Sequence, residues 1–164
     1  MNKNIITIIG LIAIAGLLFF TGQLGSSPEK TILKRLDNLS KIIQIAPQDG
    51  NLTKAAHISG FSGFFTKDTS VNIRVRNRGA SADSRGELVE QFKMYKKASQ
   101  VRSMSLKWDK DAAEFVHINK NEIQLKINLK LNYNGQSDWF NGPLDLNWVK
   151  SEGSWRIRSM MNTN

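Results

Sequence analysis

The amino-acid sequence predicts an α+β protein in which an N-terminal transmembrane helix precedes about three helices packed on a curved antiparallel sheet. Changes in the spacing of apolar residues indicate this order. Residues 5–24 are uncharged and mostly apolar, residues 28–99 contain stretches with apolar side chains three and four positions apart, and residues 104–160 alternate apolar with polar side chains. The chain has 164 residues, which is enough for one domain behind the anchor.

Residues 1–25 are predicted to be a membrane anchor or a signal peptide, and residues 26–164 the folded domain. At about 1.5 Å per residue, the uncharged stretch 5–24 just crosses a hydrocarbon layer of about 30 Å. A cleavable signal peptide is the alternative, although residues 21–28 lack an Ala-x-Ala site. Because only a short head precedes the segment, we expect a single-pass protein bound to the lipid bilayer, with its C-terminal domain outside the cytoplasm. That location is the bacterial periplasm or the cell surface, and cleavage would make the protein secreted.

Three amphipathic helices are predicted after the anchor. The first begins at Ser27, a capping residue followed by proline, and carries one apolar stripe to about Ile45. A weaker helix is expected over residues 51–65, where two glycines reduce helix propensity. The third opens with a capping box at Ser84 and ends near Ser99.

The strands are predicted from alternation with a period of two. Residues 71–75 form the first strand, with arginines on its outer face, and residues 77–83 are predicted to be a loop. The remaining strands are expected at 104–108, 112–118, 123–133, 144–148 and 155–160, with a hairpin turn at 151–154. The longest strand measures about 40 Å at about 3.3 Å per residue, so we expect it to curve around the helices.

This order of elements resembles the nuclear transport factor 2-like superfamily. The closing stretch 146–157, Leu-Asn-Trp-Val-Lys-Ser-Glu-Gly-Ser-Trp-Arg-Ile, is similar to the final hairpin common in that superfamily. The resemblance covers about residues 28–161 and implies a cone-shaped domain like those of SnoaL-type polyketide cyclases and ketosteroid isomerases. It does not identify an activity, because folds of this kind carry unrelated functions.

A catalytic site is not predicted. In enzymes that the chain resembles, an acid or a histidine at the mouth of the cone acts as the base. The candidate here is His117, which alternates with Val116 and Ile118, whereas His57 lies in the weak helix. No phosphate loop, dinucleotide fingerprint or three-ligand metal pattern occurs, so no cofactor and no metal are expected. The lack of cysteine excludes disulfide-stapled miniproteins, zinc ribbons, cysteine enzymes and lipoproteins anchored through cysteine.

Aromatic residues supply the candidates for ligand or partner binding. Tyr95 and Trp108 belong to a set of aromatic side chains that either fills the core or lines a cavity. Trp139 and Phe140 lie in a connection rich in turn residues. They are predicted either to close the open end of the cone or to form a partner-binding tip.

Positive charge indicates a second binding surface. The net charge is +9, and half of the excess in the soluble part lies in residues 67–100. Arg74, Arg76 and Arg78 are predicted to share one strand face, where an acidic protein or anionic lipid would bind. A basic face that is merely solvated is the alternative. Nucleic acid is not expected, since no aromatic and basic reading motif is present, and a homodimer through the sheet is a further prediction.

The sequence supports one leading functional hypothesis and two alternatives. The leading hypothesis is a non-catalytic, membrane-anchored binding or assembly module outside the cytoplasm. The scaffold subunit of type IV secretion and conjugation machines, which this arrangement resembles, is its most specific form. The alternatives are a SnoaL-like cyclase, isomerase or hydratase for a hydrophobic substrate, and a carrier that uses the same cavity without chemistry. A cone interior filled by aromatic side chains would exclude both alternatives.

Overall fold

The computed structural model describes residues 26–75, 78–98 and 101–162, without the side chains of Val75, Arg78, Asp138 and Trp139. Backbone contacts divide the chain after Thr31. In the first unit, Ser27 caps the first helix as predicted, and its Oγ accepts a hydrogen bond from the Lys30 N–H at 3.3 Å.

The predicted membrane segment, residues 5–24, lies outside the described residues. Among the residues that are described, none belongs to a helix long and apolar enough to span a bilayer.

The described residues form three helices and seven strands. In chain order these are α1 (Pro28–Ile43), α2 (Asn51–Phe61), a 3-10 turn (Ser62–Phe64), β1 (Phe65–Val75), β2 (Arg78–Ala82), α3 (Arg85–Lys97), β3 (Met104–Trp108), β4 (Glu114–Asn119), β5 (Glu122–Tyr133), β6 (Gln136–Ser151) and β7 (Ser154–Met161). The predicted cap at the start of α3 is present, since Ser84 Oγ accepts from the Glu87 N–H at 3.2 Å. The Glu87 carboxylate reaches back to the N–H of Asp83, at 3.0 Å, one residue before the position that a capping box uses.

All strands belong to one sheet, in the order β2-β1-β7-β6-β5-β3, and β4 also pairs with β5. The prediction of an antiparallel sheet is wrong for one pair, because β1 and β7 run parallel, with Phe65 opposite Ile157. No hairpin joins these two strands, so no turn imposes their relative direction. Their pairing instead places two fully buried side chains next to each other.

The core lies between the helices and one face of the sheet, as the two hydrophobic periods predict. The helical side contributes Ile32, Leu36, Leu39, Phe61 and Phe92, and the sheet contributes Phe65, Ile123, Leu125, Ile127, Leu144, Leu146, Trp148, Trp155 and Ile157. The rings of Phe61 and Phe92 stack with centroids 3.9 Å apart, which joins α2 to α3.

Near the first strand, the predicted helix and strand are present with different bounds, and one prediction is wrong. Helix α2 ends at Phe61, and β1 begins at Phe65, well before the predicted strand 71–75. Residues 78–82, predicted to be part of a loop, form β2 and pair antiparallel with β1. This segment reads Arg-Gly-Ala-Ser-Ala, without large apolar side chains, so its strand structure comes from pairing with its neighbour rather than from its own pattern.

Strand β6 is much longer than the predicted strand 144–148. It starts at Gln136, directly after Asn134 and Gly135, which have φ angles of 48° and 82°. Positive φ at both central residues is typical of a tight two-residue hairpin turn. Trp139 and Phe140 therefore lie inside a strand, and the prediction of a turn-rich connection at this place is wrong.

The predicted hairpin turn at 151–154 is confirmed. Ser151 pairs with Ser154, and the two central residues, Glu152 and Gly153, have φ angles of 50° and 76°.

Candidate functional site

The candidate functional site is a cavity of about 190 Å³ between α1 and the inner face of the sheet. Helix α1 provides Leu36, Leu39, Ser40 and Ile43, and strands β1, β3, β5, β6 and β7 provide apolar side chains. Of the described residues in this lining, Ser40 alone carries a hydroxyl, which donates to the backbone carbonyl of Asp37 at 2.8 Å. Among the described residues, no titratable side chain lines the cavity.

The apolar lining follows from the two hydrophobic periods of the sequence. On α1 the stripe runs along one side, and on the strands every second residue points inward. Leu106 of β3 pairs with Leu131 of β5, and Trp108 pairs with Leu129, so these side chains lie side by side on one face. A dry apolar cavity of about 150 Å³ in another protein binds benzene, so a cavity of this size and lining accommodates a single ring or a short chain.

Two of the predicted binding residues line this cavity. Trp108 lies at the end of β3 and Phe140 lies in β6, and both are half-buried. Phe140 faces the cavity because side chains alternate between the two faces of a strand. Trp139 occupies the preceding position in β6.

Tyr95 lies behind the cavity wall rather than in the lining. Its hydroxyl donates to the sulfur of Met104 at 2.7 Å, and Met104 itself lines the cavity. Burial, and then the nearby Tyr133, raise the pKa of the Tyr95 hydroxyl. This group therefore stays protonated and engaged with the sulfur, so it supports the wall and does not act as a base.

His117 does not line the cavity. It lies in β4 opposite Ile123, which places it on the inner side of the sheet, yet its side chain is exposed. His117 lies in β4, and no residue of β4 belongs to the described lining of the cavity. Among the lining residues that the structure describes, none is an acid or a histidine that could act as the base implied by the resemblance.

The structure places the arginine surface on two strands. Arg74 is exposed in β1, and its backbone N–H and carbonyl bond the side-chain amide of Asn162 at 2.8 and 2.6 Å. Arg78 begins β2, so it does not share a strand with Arg74 as predicted. Arg76 lies outside the described residues.

One buried lysine was not predicted from the sequence. Lys96 of α3 is only 1% exposed, and its ammonium donates to the Gln44 carbonyl at 2.5 Å and to His57 Nδ1 at 3.1 Å. Burial lowers the pKa of Lys96 to about 8, with Asp49 opposing the shift and Lys54 adding to it. This cluster ties the end of α1 to α2 and α3.

The histidine of this cluster acts as the acceptor. Burial, and then the charge of Lys96, lower the pKa of His57, which keeps its ring neutral. A usable signal existed in the sequence, because Lys96 follows the buried Phe92 by four positions and so lies on the inner stripe of α3. The nearby Lys93 and Lys97 instead favour the interpretation that Lys96 belongs to a solvated basic face.

Comparison with known proteins identifies the fold. No family model matches the chain, and no curated protein matches it in sequence. A candidate scytalone dehydratase from Novosphingobium aromaticivorans DSM 12444 is 13% identical, with a TM-score of 0.60 over 82% of this chain and 83% of that one. An NTF-2 like protein of unknown function from Shewanella oneidensis MR-1 is 11% identical, with a TM-score of 0.62 over 84% and 100%.

A candidate aromatic ring hydroxylase from Novosphingobium aromaticivorans is 8% identical, with a TM-score of 0.63 over 83% of this chain and 90% of that one. The chain therefore has the nuclear transport factor 2-like cone fold, as the sequence predicted. At these identities the likeness establishes the fold alone, since enzymes and proteins of unknown function share it.

Proposed function

We propose that this domain is a non-catalytic binding module that holds a small apolar molecule in its cone cavity. The observation that carries the proposal is the lining of the cavity, which is apolar and, in the described chain, contains no titratable side chain. Acid-base catalysis needs a proton donor or acceptor within hydrogen-bonding reach of the substrate. A carrier or sensor needs only shape and apolar surface, and both are present.

The proposal includes the location that the sequence predicts. Residues 5–24 support a single-pass anchor, with the binding domain outside the cytoplasm. A carrier held at a membrane surface would receive apolar molecules where they concentrate. Protease treatment of intact and permeabilised cells tests this part, because digestion of the domain only after permeabilisation of the inner membrane would contradict it.

The binding test uses the full chain in lipid nanodiscs. Benzene and n-hexane serve as neutral ligands, and hexanoate carries a similar chain with a carboxylate. Amide NMR shifts are expected to saturate with the two neutral ligands at the lining residues of α1 and β5. Hexanoate is expected to bind more weakly, because no group of the lining satisfies its charge.

A variant that fills the cavity tests whether the ligand binds there. Leu129→Phe places a larger side chain in the lining and should abolish saturation by benzene. Leu33→Phe makes the same change on α1 at a half-buried residue outside the lining and should leave binding intact. Absence of saturable binding in the unmodified chain, or equal binding by Leu129→Phe, would overturn the proposal.

A further inference from the structure

A polar contact lies beside the apolar cavity. Lys110, in the turn between β3 and β4, donates from Nζ to Asp37 Oδ2 of α1 at 2.6 Å. The same ammonium lies 5.5 Å from the centre of the Trp108 ring. We call Asp37, Trp108 and Lys110 the clasp.

The clasp is placed at the rim of the cavity by its neighbours in the chain. Asp37 directly follows Leu36, and its backbone carbonyl accepts a hydrogen bond from the hydroxyl of Ser40. Leu36 and Ser40 both line the cavity. Trp108 is itself a lining residue at the end of β3, two positions before Lys110. The lysine therefore bridges the helix wall and the strand wall where both meet solvent.

The clasp is weak enough to open. Its charged side chains are 58% and 33% exposed, so water and salt screen their attraction. The two walls are also joined at the other end of β3, where the backbone of Ile45, just after α1, pairs with that of Met104. Rupture of the pair would separate the β3–β4 turn from α1 without breaking the sheet, because β3 remains paired with β5.

We propose that the clasp is the gate of the cavity, and that a neutral apolar ligand enters and leaves between α1 and the β3–β4 turn when Lys110 releases Asp37. The inference rests on the proposed function, since a gate requires a ligand. The ion pair touches no ligand, so it acts on the rate of exchange and not on the affinity. Lys110 and Asp37 are thus positioning residues.

Ligand exchange rates test the gate. Lys110→Met keeps an apolar stem over Trp108 and removes the charge, and Asp37→Asn removes the acceptor charge with little change of shape. For benzene, measured by NMR exchange on the full chain in nanodiscs, both variants should raise the association and dissociation rates about 1.4- to 5-fold, the effect of losing one exposed ion pair. The dissociation constant should stay the same.

Salt gives an independent readout. The exchange rates of the unmodified chain should rise between about 0.05 and 1 M NaCl as the pair is screened, whereas those of Lys110→Met should change much less. The exposed pair Lys93–Glu90 on α3, with a distance of 2.5 Å, provides the matched control. Lys93→Met is expected to leave both rates unchanged, and exchanging the charges, Asp37→Lys with Lys110→Asp, is expected to restore slow exchange.

The two proposals fail in different ways. If the unmodified chain shows no saturable binding of benzene, the proposed function fails and the gate falls with it. If benzene binds and Leu129→Phe abolishes binding, but Lys110→Met exchanges at the unmodified rate, the gate alone is overturned. The gate is also overturned if Lys110→Met changes only the dissociation constant.

Discussion

The buried amine of Lys96 makes the stability of the domain depend on pH in the alkaline range. Its pKa falls from 10.5 to about 8 on folding, so the unfolded chain binds more protons than the folded chain between these values. The free energy of unfolding should therefore increase as the pH rises from 8 toward 10.5. Below pH 8 the lysine is charged in both states, and its burial lowers the stability by the full amount of the shift.

The size of the effect follows from the shift. At about 1.4 kcal/mol for each pKa unit, the increase has an upper limit on the order of 3 kcal/mol. The hydrogen bonds to the Gln44 carbonyl and to His57 reduce the cost of keeping the charge below pH 8. Lys96→Met removes the titration, but it leaves those two acceptors without a donor, so at pH 7 we expect a small net change.

Chemical unfolding at pH 7.5, 8.5 and 9.5 measures the prediction. The unmodified chain should gain stability over this range relative to Lys96→Met. Lys97→Met, which removes the exposed neighbour on the same helix, should follow the unmodified chain. Parallel curves for the unmodified chain and Lys96→Met would refute the reasoning, because the lysine would then titrate alike in both states. Burial of Tyr95 acts alike in all three chains and cancels in the difference.

Two further predictions concern the sheet. Trp148 is fully buried in β6, so Trp148→Ala should lower the free energy of unfolding, measured with urea, by about 3–5 kcal/mol. The control is Val116→Ala at an exposed position of β4, which should change it by about 0.5 kcal/mol or less. Gly153 has a φ of 76°, so Gly153→Ala should cost about 1 kcal/mol in the same assay. The control is Gly79→Ala, because φ at Gly79 is not positive and no heavy atom lies within 4 Å of the added Cβ. Equal effects of the two substitutions would contradict the role of φ.

Local patterns explain which elements could be predicted. The starts of α1 and α3 follow from Ser27 and Ser84, whose side chains cap backbone N–H groups within a few residues. The strand β5 follows from strict alternation over its whole length. The Asn134-Gly135 pair is an equally local turn signal, although no hairpin was predicted there.

Pairing partners explain the errors. Strand β2 consists of small residues that become a strand only beside β1, where Ala82 is buried opposite Val71. The parallel contact of β1 with β7 joins Phe65 to Ile157 across most of the domain. Neither pairing leaves a periodic trace in its own segment, so sequence spacing could not reveal them.

The sequence by itself determined the caps of two helices and the apolar face of the long strand β5, because propensity and periodicity act over a few residues; the order of the elements carried the resemblance to the cone fold. Only the tertiary structure decided that Lys96 is buried against a carbonyl 52 residues away, and that Lys110 meets Asp37 across 73 residues. It also decided that Trp108 and Phe140 face a cavity instead of a filled core. Burial and cavity volume depend on several segments packing at once, so no single stretch of sequence encodes them.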